Sequence, residues 1–368
     1  MIASAKRLLD RWRGGGEHAV TVPPMDGALR PNEAIEEAPV LVEAAAPDNL
    51  ATDGARLMFS SGASVLELFS SGARAATKPF AAFDSPVSAL ALGPGGSVAA
   101  GLERGGIALR GGRHDCLVME QIGGRALSCV TALLFEGEDT LVVALGSQRN
   151  GPDRWRHDLL QRNASGSVWR VTLPGGQATC LADGLAWPCG LAAAPDGGLV
   201  VAESWRNRLV GLAPGRRPAP LLTDIPGYPG RLAPRAGDAG HWLAVFAPRS
   251  QLVEFVLRER DYRESMMREV DPCFWIAPAL SAAQSFLEPM QVGGLKQLGV
   301  LKPWAPTRSY GLVIGLDAGH EPAVSFHSRA SGQRHGVTSC VEFGGRLLAT
   351  SKGGGVVVSL PLPQGGVR

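Results

Sequence analysis

The stretch GLAWPCGLAAAPDGGLVVAES, residues 184–204, decides how the chain is read. It enters through small residues, runs through apolar ones, turns at Asp196-Gly197 and returns as a second apolar run. An apolar run reversed by an Asp-Gly turn is a hairpin signature. The pattern recurs in APDNLATDGARLMFSS (46–61), SPVSALALGPGGSVAAG (85–101), CVTALLFEGEDTLVVALGS (129–147), GYPGRLAPRAGDAGHWLAVF (227–246) and HGVTSCVEFGGRLLATS (335–351). Successive turns lie mostly about 40–55 residues apart, the range of propeller blades. None of the six units sustains a helical 3.6-residue period. The expected fold class is therefore all-β: a six-bladed β-propeller closed into a ring, with few exposed sheet edges.

The composition fits that expectation. The chain has 368 residues, 45% apolar but only 6% aromatic, so its core should be built from Val, Leu and Ala. The 48 Gly and 27 Pro, spread without a short period, imply many short elements joined by tight turns. A formal net charge of +2 gives no nucleic-acid footprint. The six cysteines, Cys116, Cys129, Cys180, Cys189, Cys273 and Cys340, form no CxxC pair and no zinc-type cluster with His. No apolar run is long enough to span a bilayer, and MIASAKRLLDRWRGGG at the start lacks the apolar core of a secretory signal. A cytoplasmic protein with reduced thiols is the expectation.

Residues 1–25 read as a helical or flexible extension and 26–368 as one propeller. Two insertions interrupt the repeats. NGPDRWRHDLLQRNASGSVWRV (150–171) has a helical middle, Trp155 to Arg162, placing the first insertion at about 150–165. RDYRESMMREVDPCFWIAPALSAAQSFLEPM (260–290) carries Met and aromatic residues at helical spacing and opens a second at about 260–300. Such excursions are expected to roof one face of the central channel and close an apolar-walled pocket over it, with the Met/aromatic stripe as packing.

DGALRPNEAIEEA (26–38), RWRHDLLQRNASGSVWRV (154–171), DGLAWPCGLAAAPDGGLVVAESWRNRLV (183–210) and IPGYPGRLA (225–233) resemble the strictosidine synthase-like branch of the SMP-30/gluconolactonase/paraoxonase superfamily. The resemblance runs from about residue 26 to 360 and implies a six-bladed propeller, in agreement with the repeat count. It also implies, for the lactonases and esterases, a divalent metal on the channel axis, usually calcium, held by a Glu, Asn residues and an Asp at the mouths of inner strands. Carried over position by position, these ligands fall on Asp48, Thr131, Cys189 and Gly230, with Arg231 beside the last. A cation that takes six to eight oxygens is poorly served by one carboxylate, a hydroxyl and a soft thiol. The expectation is an architecture kept and a metal lost: no cofactor, and calcium disfavoured. Strictosidine synthases work without metal, through a last-blade Glu; Gly336 and Val337 stand in its place, and Glu342 lies at the strand's far end. Amine–aldehyde condensation is thus a remote reading.

The residues left for chemistry are few. Asp48 would face the channel, where burial raises its pKa toward that of a general base, or it would cap a turn or pair with Arg231 in the vacated metal position. His335, placed at the position of Pro188, would reach the channel mouth for proton transfer, or serve as a hydrogen-bonded scaffold residue. Thr131, Cys189, Arg231, His327 and Arg334 are the candidate substrate-binding residues; Arg329 and Arg334 with Ser328 and Ser331 read as an anion clamp. Cys189 with His335 suggests a thiol nucleophile, against the default of a small buried thiol. Glu203 and Trp205 read as scaffold, with Arg206 or Arg208 binding Glu203. The favoured function is a hydrolase of the ester or lactone class acting on a small molecule in the central channel. A non-catalytic ligand-binding propeller and a protein-interaction scaffold with an unknown partner are the alternatives.

Overall fold

Each of the six repeated segments forms the innermost strand of a four-stranded antiparallel sheet. These strands are Pro47–Thr52, Val87–Leu92, Val130–Gly137, Pro188–Ala193, Gly227–Pro234 and Val337–Phe343, which define blades 1 to 6. Each packs against the inner strands of the blades before and after it, and the first against the last, so the sheets form a ring around an axial channel. The computed structural model describes residues 22–71, 74–282, 284–285, 287–289, 296–297, 300–301 and 308–363. The first 21 residues of the expected N-terminal extension lie outside these.

The ring is closed by sequence-distant strands. The outermost strand of blade 6 is Val40–Glu43, which pairs antiparallel with Val356–Pro361 (Val40 with Val358, Val42 with Val357). Blade 6 thus combines three C-terminal strands with one strand from before blade 1, tying the two ends of the propeller together. The hairpin read first is present: Leu191 faces Val201 and Ala193 faces Leu199, with Gly197 at φ +79° in the turn and the Asp196 carboxylate accepting from the Gly198 N–H at 3.0 Å. That left-handed φ is what the Asp-Gly turn required.

The core lies between blades and is built mainly of Val, Leu and Ala, as the low aromatic content implied. Gly190 marks the tightest approach: a Cβ there would overlap the carbonyl oxygen of Gly230 in blade 5. Among the described residues, the first insertion holds a helix at Trp155–Leu160, and the second begins earlier than expected, with helices Gln251–Arg258 and Arg260–Glu269. Ser250 caps the former by accepting from the Val253 N–H. Leu160, Val256, Met266 and Trp275 form one buried cluster, so the two insertions pack on each other. No helix of the described residues is long and apolar enough to cross a membrane.

Candidate functional site

A β-bulge near the start of most inner strands builds the site. In blades 2, 3, 4 and 6 the pairing skips the second strand residue: Ser88, Thr131, Cys189 and Thr338 stand between paired neighbours. Such a residue leaves the ladder and its side chain is re-aimed. All four line one pocket of about 100 Å³ in the channel, joined by Asp48 from blade 1 and Arg231 from the irregular strand of blade 5. Each blade thus contributes one side chain to the channel floor. Trp155, Trp187, Phe246 and Leu280 form the upper walls, so the insertions do roof this face.

Charge on the floor is organised around Asp48, a buried carboxylate. Arg231 donates from Nη1 to Asp48 Oδ1 at 2.8 Å, and Lys352 donates from Nζ to Oδ2 at 2.9 Å. The Asn49 N–H adds a bond of 2.7 Å to Oδ1. Arg231 also donates to the Ser88 carbonyl at 2.8 Å and the Thr338 carbonyl at 3.3 Å, which ties blade 5 to blades 2 and 6. Burial pushes the Asp48 pKa upward, but the Arg231 and Lys352 cations outweigh it and hold the carboxyl at about 2. The expected rise toward general-base range does not occur; the pairing with Arg231, the other reading of Asp48, does. Arg231 reaches through the channel as well, lining a second cavity of about 260 Å³ at the opposite mouth, walled largely by apolar inner-strand residues. The guanidinium and its carboxylate therefore divide the channel.

Thr131 and Cys189, the positions implied by the resemblance, both line the channel pocket. Thr131 Oγ1 donates to the Pro188 carbonyl at 2.5 Å, so its hydroxyl proton is committed to blade 4. Burial pushes the Cys189 thiol pKa up despite Arg231 and a Ser204 hydrogen bond, which keeps the thiol neutral. A neutral thiol is a weak nucleophile.

His335, His327 and Arg334 are elsewhere. By the ladder, the blade 6 counterpart of Pro188 is Val337, each being the paired residue before the bulge, so His335 lies two residues short of the strand. It is buried, with Nδ1 at 2.7 Å from Ser309 Oγ and Nε2 at 2.9 Å from the Arg329 carbonyl. His327 is buried in the outer strand of blade 5 between Tyr310 Oη (3.2 Å) and Ser325 Oγ (2.8 Å), and burial lowers its pKa to about 4. Arg334 donates to the carbonyls of Ile35 and Ala38, while Glu36 accepts from the backbone N–H groups of Gln333 and Arg334. This loop grips the chain before blade 1; it is not an anion clamp on the channel. None of the three residues lines the channel pocket, and His335 meets neither Asp48 nor Cys189.

Two charged residues escaped the sequence reading. Glu103 and Lys352 each follow the second strand of their blade, after the Val87–Leu102 and Val337–Ser351 pairs. Both line the pocket. Burial raises the pKa of half-buried Glu103; Lys352 opposes the rise, and the negative charges of Asp153 and Asp48 add to it. The signal was available in LERG (102–105) and SKGG (351–354), where a charge stands at matching positions of two repeats.

Among the described residues, no group of three or more His, Cys, Asp or Glu is placed to hold a metal ion. Of the two carboxylates lining the pocket, Asp48 already carries two protein cations and Glu103 stands alone, and the remaining side-chain donors are two threonines, a serine and a thiol. That set does not fit a cation that takes six to eight oxygens. Glu342, the remaining blade 6 acid, accepts from Trp242 Nε1 at 2.5 Å and lines the cavity at the other mouth.

Scaffold residues match expectation. Glu203 is wholly buried and binds both Arg206 (2.5 Å) and Arg208 (2.6 Å) while accepting from the Ala186 N–H at 2.7 Å. Trp205 stacks on Trp187 at 5.2 Å between ring centroids and donates to buried Asp158 at 2.9 Å, which anchors the helix of the first insertion.

No family model matches the chain, and no curated protein matches it in sequence. Solved structures do resemble it in fold. A gluconolactonase from Xanthomonas campestris superposes with a TM-score of 0.55 at 15% identity, over 93% of this chain and 99% of that one. Regucalcin from Agrobacterium tumefaciens, described as a calcium-binding protein, gives 0.54 at 14% over 88% and 92%. A structure described as a putative gluconolactonase gives 0.51 at 12% over 88% and 91%. The fold is thus a six-bladed β-propeller, the architecture these structures share.

Proposed function

We propose that the channel pocket hydrolyses a small ester or lactone without a metal, using Glu103 as general base and Lys352 as electrophile. The observation that carries this reading is that these two residues, leaving matching positions of blades 2 and 6, line one pocket. Glu103 takes a proton from water as the water oxygen attacks the substrate carbonyl carbon. The oxyanion forms beside the Lys352 ammonium, which spends one N–H on Asp48 and keeps two for substrate. On collapse the C–O bond breaks and the leaving alkoxide takes the proton from Glu103. Asp48 and Arg231 are positioning residues: Arg231 holds Asp48, and Asp48 holds Lys352. The aromatic walls exclude bulk water, which strengthens these charge interactions. The likeness in fold to a protein described as a gluconolactonase supports the substrate class.

The test is hydrolysis of small lactones and aryl esters by the whole chain. Glu103→Gln should lower kcat/KM by about 10²–10⁴-fold and remove the rise of rate with pH that deprotonation of Glu103 gives. Lys352→Met should lower kcat more than it raises KM. Chelator or added calcium should change neither rate nor melting temperature. Wild-type rates at background would sink the catalytic reading and leave a propeller that binds without turnover.

A further inference from the structure

Outside the channel, the roof carries a second concavity. A cleft of about 240 Å³ opens where the first insertion meets the turn after Glu203 and the helix Gln251–Arg258. Four arginines line it, Arg162, Arg206, Arg249 and Arg258, against two carboxylates, Asp224 and Glu254. The positive charge is not fully answered within the protein. Arg249 is buried and fixed by Glu254 at 3.1 Å and by the Ile225 carbonyl at 3.4 Å, with Asp224 at 3.9 Å. Arg206 shares the buried Glu203 with Arg208. The guanidinium groups of Arg162 and Arg258 have no hydrogen bond or ion pair among the described residues, yet they face the same cleft as the other two. Arg162 also stands at φ +51°, a left-handed conformation uncommon for a long side chain, held by backbone bonds of its N–H to Leu159 and of the Asn163 N–H to Asp158.

Guanidinium groups held in one concavity repel one another unless an anion joins them, and their planar forks match the oxygens of a phosphoryl group. We propose that this cleft binds a small phosphorylated compound through its phosphoryl group, with Arg249 as the fixed anchor and Arg162 and Arg258 closing on the ligand from the rim. The volume exceeds that of the channel pocket and leaves room for an organic part beside the phosphoryl group. The indole of Trp205 lines the cleft and stacks on Trp155 and Trp187, which line the channel, so one aromatic layer separates the two sites.

The experiment is calorimetric titration of the full chain with inorganic phosphate and with glycerol 2-phosphate, at constant ionic strength set with chloride. Saturable binding of at least one is expected, weakened tenfold or more in the rim variant Arg162→Ala/Arg258→Ala and abolished in Arg249→Met. The rim residues are exposed, so their loss leaves the fold intact and keeps the test valid where Arg249→Met does not fold. Lys352→Met, in the channel, should bind phosphate as the wild type does, which keeps this site separate from the fate of the catalytic reading. Tighter binding of the ester assigns a phosphorylated metabolite, and equal binding assigns the phosphoryl group alone as the recognised element. No saturable heat with either compound, or equal affinity in the rim variant, overturns the proposal.

Discussion

The channel floor and the segment over residues 327–336 both carry histidine, arginine or carboxylate, yet only the floor faces the axis. On the floor, the bulge puts one residue per blade off the ladder, and Asp48, Arg231 and Lys352 join into a charged lattice across blades 1, 5 and 6. In the loop, His327, His335 and Arg334 turn away from the axis and spend their hydrogen bonds on Ser325, Ser309, Tyr310 and the backbone of residues 35 and 38. The same residue types thus do different work: one set holds charge in a cavity, the other fastens the N-terminal segment to blades 5 and 6. The difference lies in whether a repeating backbone irregularity aims the side chain.

The comparison breaks first at Asp48. Asp48→Asn leaves Arg231 and Lys352 as uncompensated cations on a buried floor, and removing one partner of a buried pair typically costs about 3–5 kcal/mol. Chemical denaturation should show that loss at pH 7. The folded-state pKa of about 2 lies below the ordinary 3.8, so the carboxylate's contribution is fully present above pH 4 and is lost as pH falls toward 2. Asp48→Asn should therefore flatten the stability curve in that window. An unchanged midpoint at pH 7 would mean that the floor lattice contributes nothing to the fold.

The loop should fail in a higher window. His327 is buried neutral with a pKa near 4 against 6.5 in the unfolded chain, so the unfolded state binds its proton first. Stability is full above pH 6.5 and falls as pH drops toward 4, by about 3 kcal/mol for a shift of that size. His335 is shifted in the same direction by burial. His327→Gln should remove most of the loss between pH 6.5 and 4 and leave the Asp48 window untouched. It should also leave ester hydrolysis unchanged. A drop in hydrolysis with the fold intact would return the loop to the site.

Much of the floor was legible because the repeated strand starts could be matched to the ligand positions of the family the chain resembles. The family's ligand positions, carried over onto the inner-strand starts, fell on Asp48, Thr131, Cys189 and Gly230 with Arg231 beside it, and the turn residues gave the blade count. The misplacement of His335 came from the same alignment slipping by two residues, since a glycine at φ +66° lets the chain turn between His335 and Val337. Glu103 and Lys352 were missed because the residue after the second strand differs in type from blade to blade, and only its position recurs. The partners of Arg334 lie some 300 residues earlier in sequence, and no local pattern announces a contact of that range.

A subtler probe of the floor is Gly190, where blades 4 and 5 meet. Its Cβ would overlap the Gly230 carbonyl oxygen and crowd the Arg231 backbone, so Gly190→Ala must push blade 5 outward. Overpacking of this kind costs about 1–3 kcal/mol. Because Arg231 is displaced with its strand, the hydrolytic rate should fall together with the melting temperature. A stable variant with a lower rate would also support the link; full activity would show that Arg231 tolerates movement.

The smallest effect is expected at Cys189, which shares the floor but takes no charge. Its thiol is neutral by burial, so Cys189→Ala should change the hydrolytic rate by less than twofold and stability by about 1 kcal/mol, the size of a small cavity. Thiol titration of the native protein should detect Cys116, Cys180 and Cys273, which are exposed, and leave Cys129, Cys189 and Cys340 silent until denaturation. Rapid modification of Cys189 at neutral pH, with loss of hydrolysis, would instead make it an ionised nucleophile. That result would move the chemistry from Glu103 and Lys352 to the thiol, because a buried thiolate beside Asp48 would need Arg231 as its own counter-ion and could not leave that cation committed to the carboxylate.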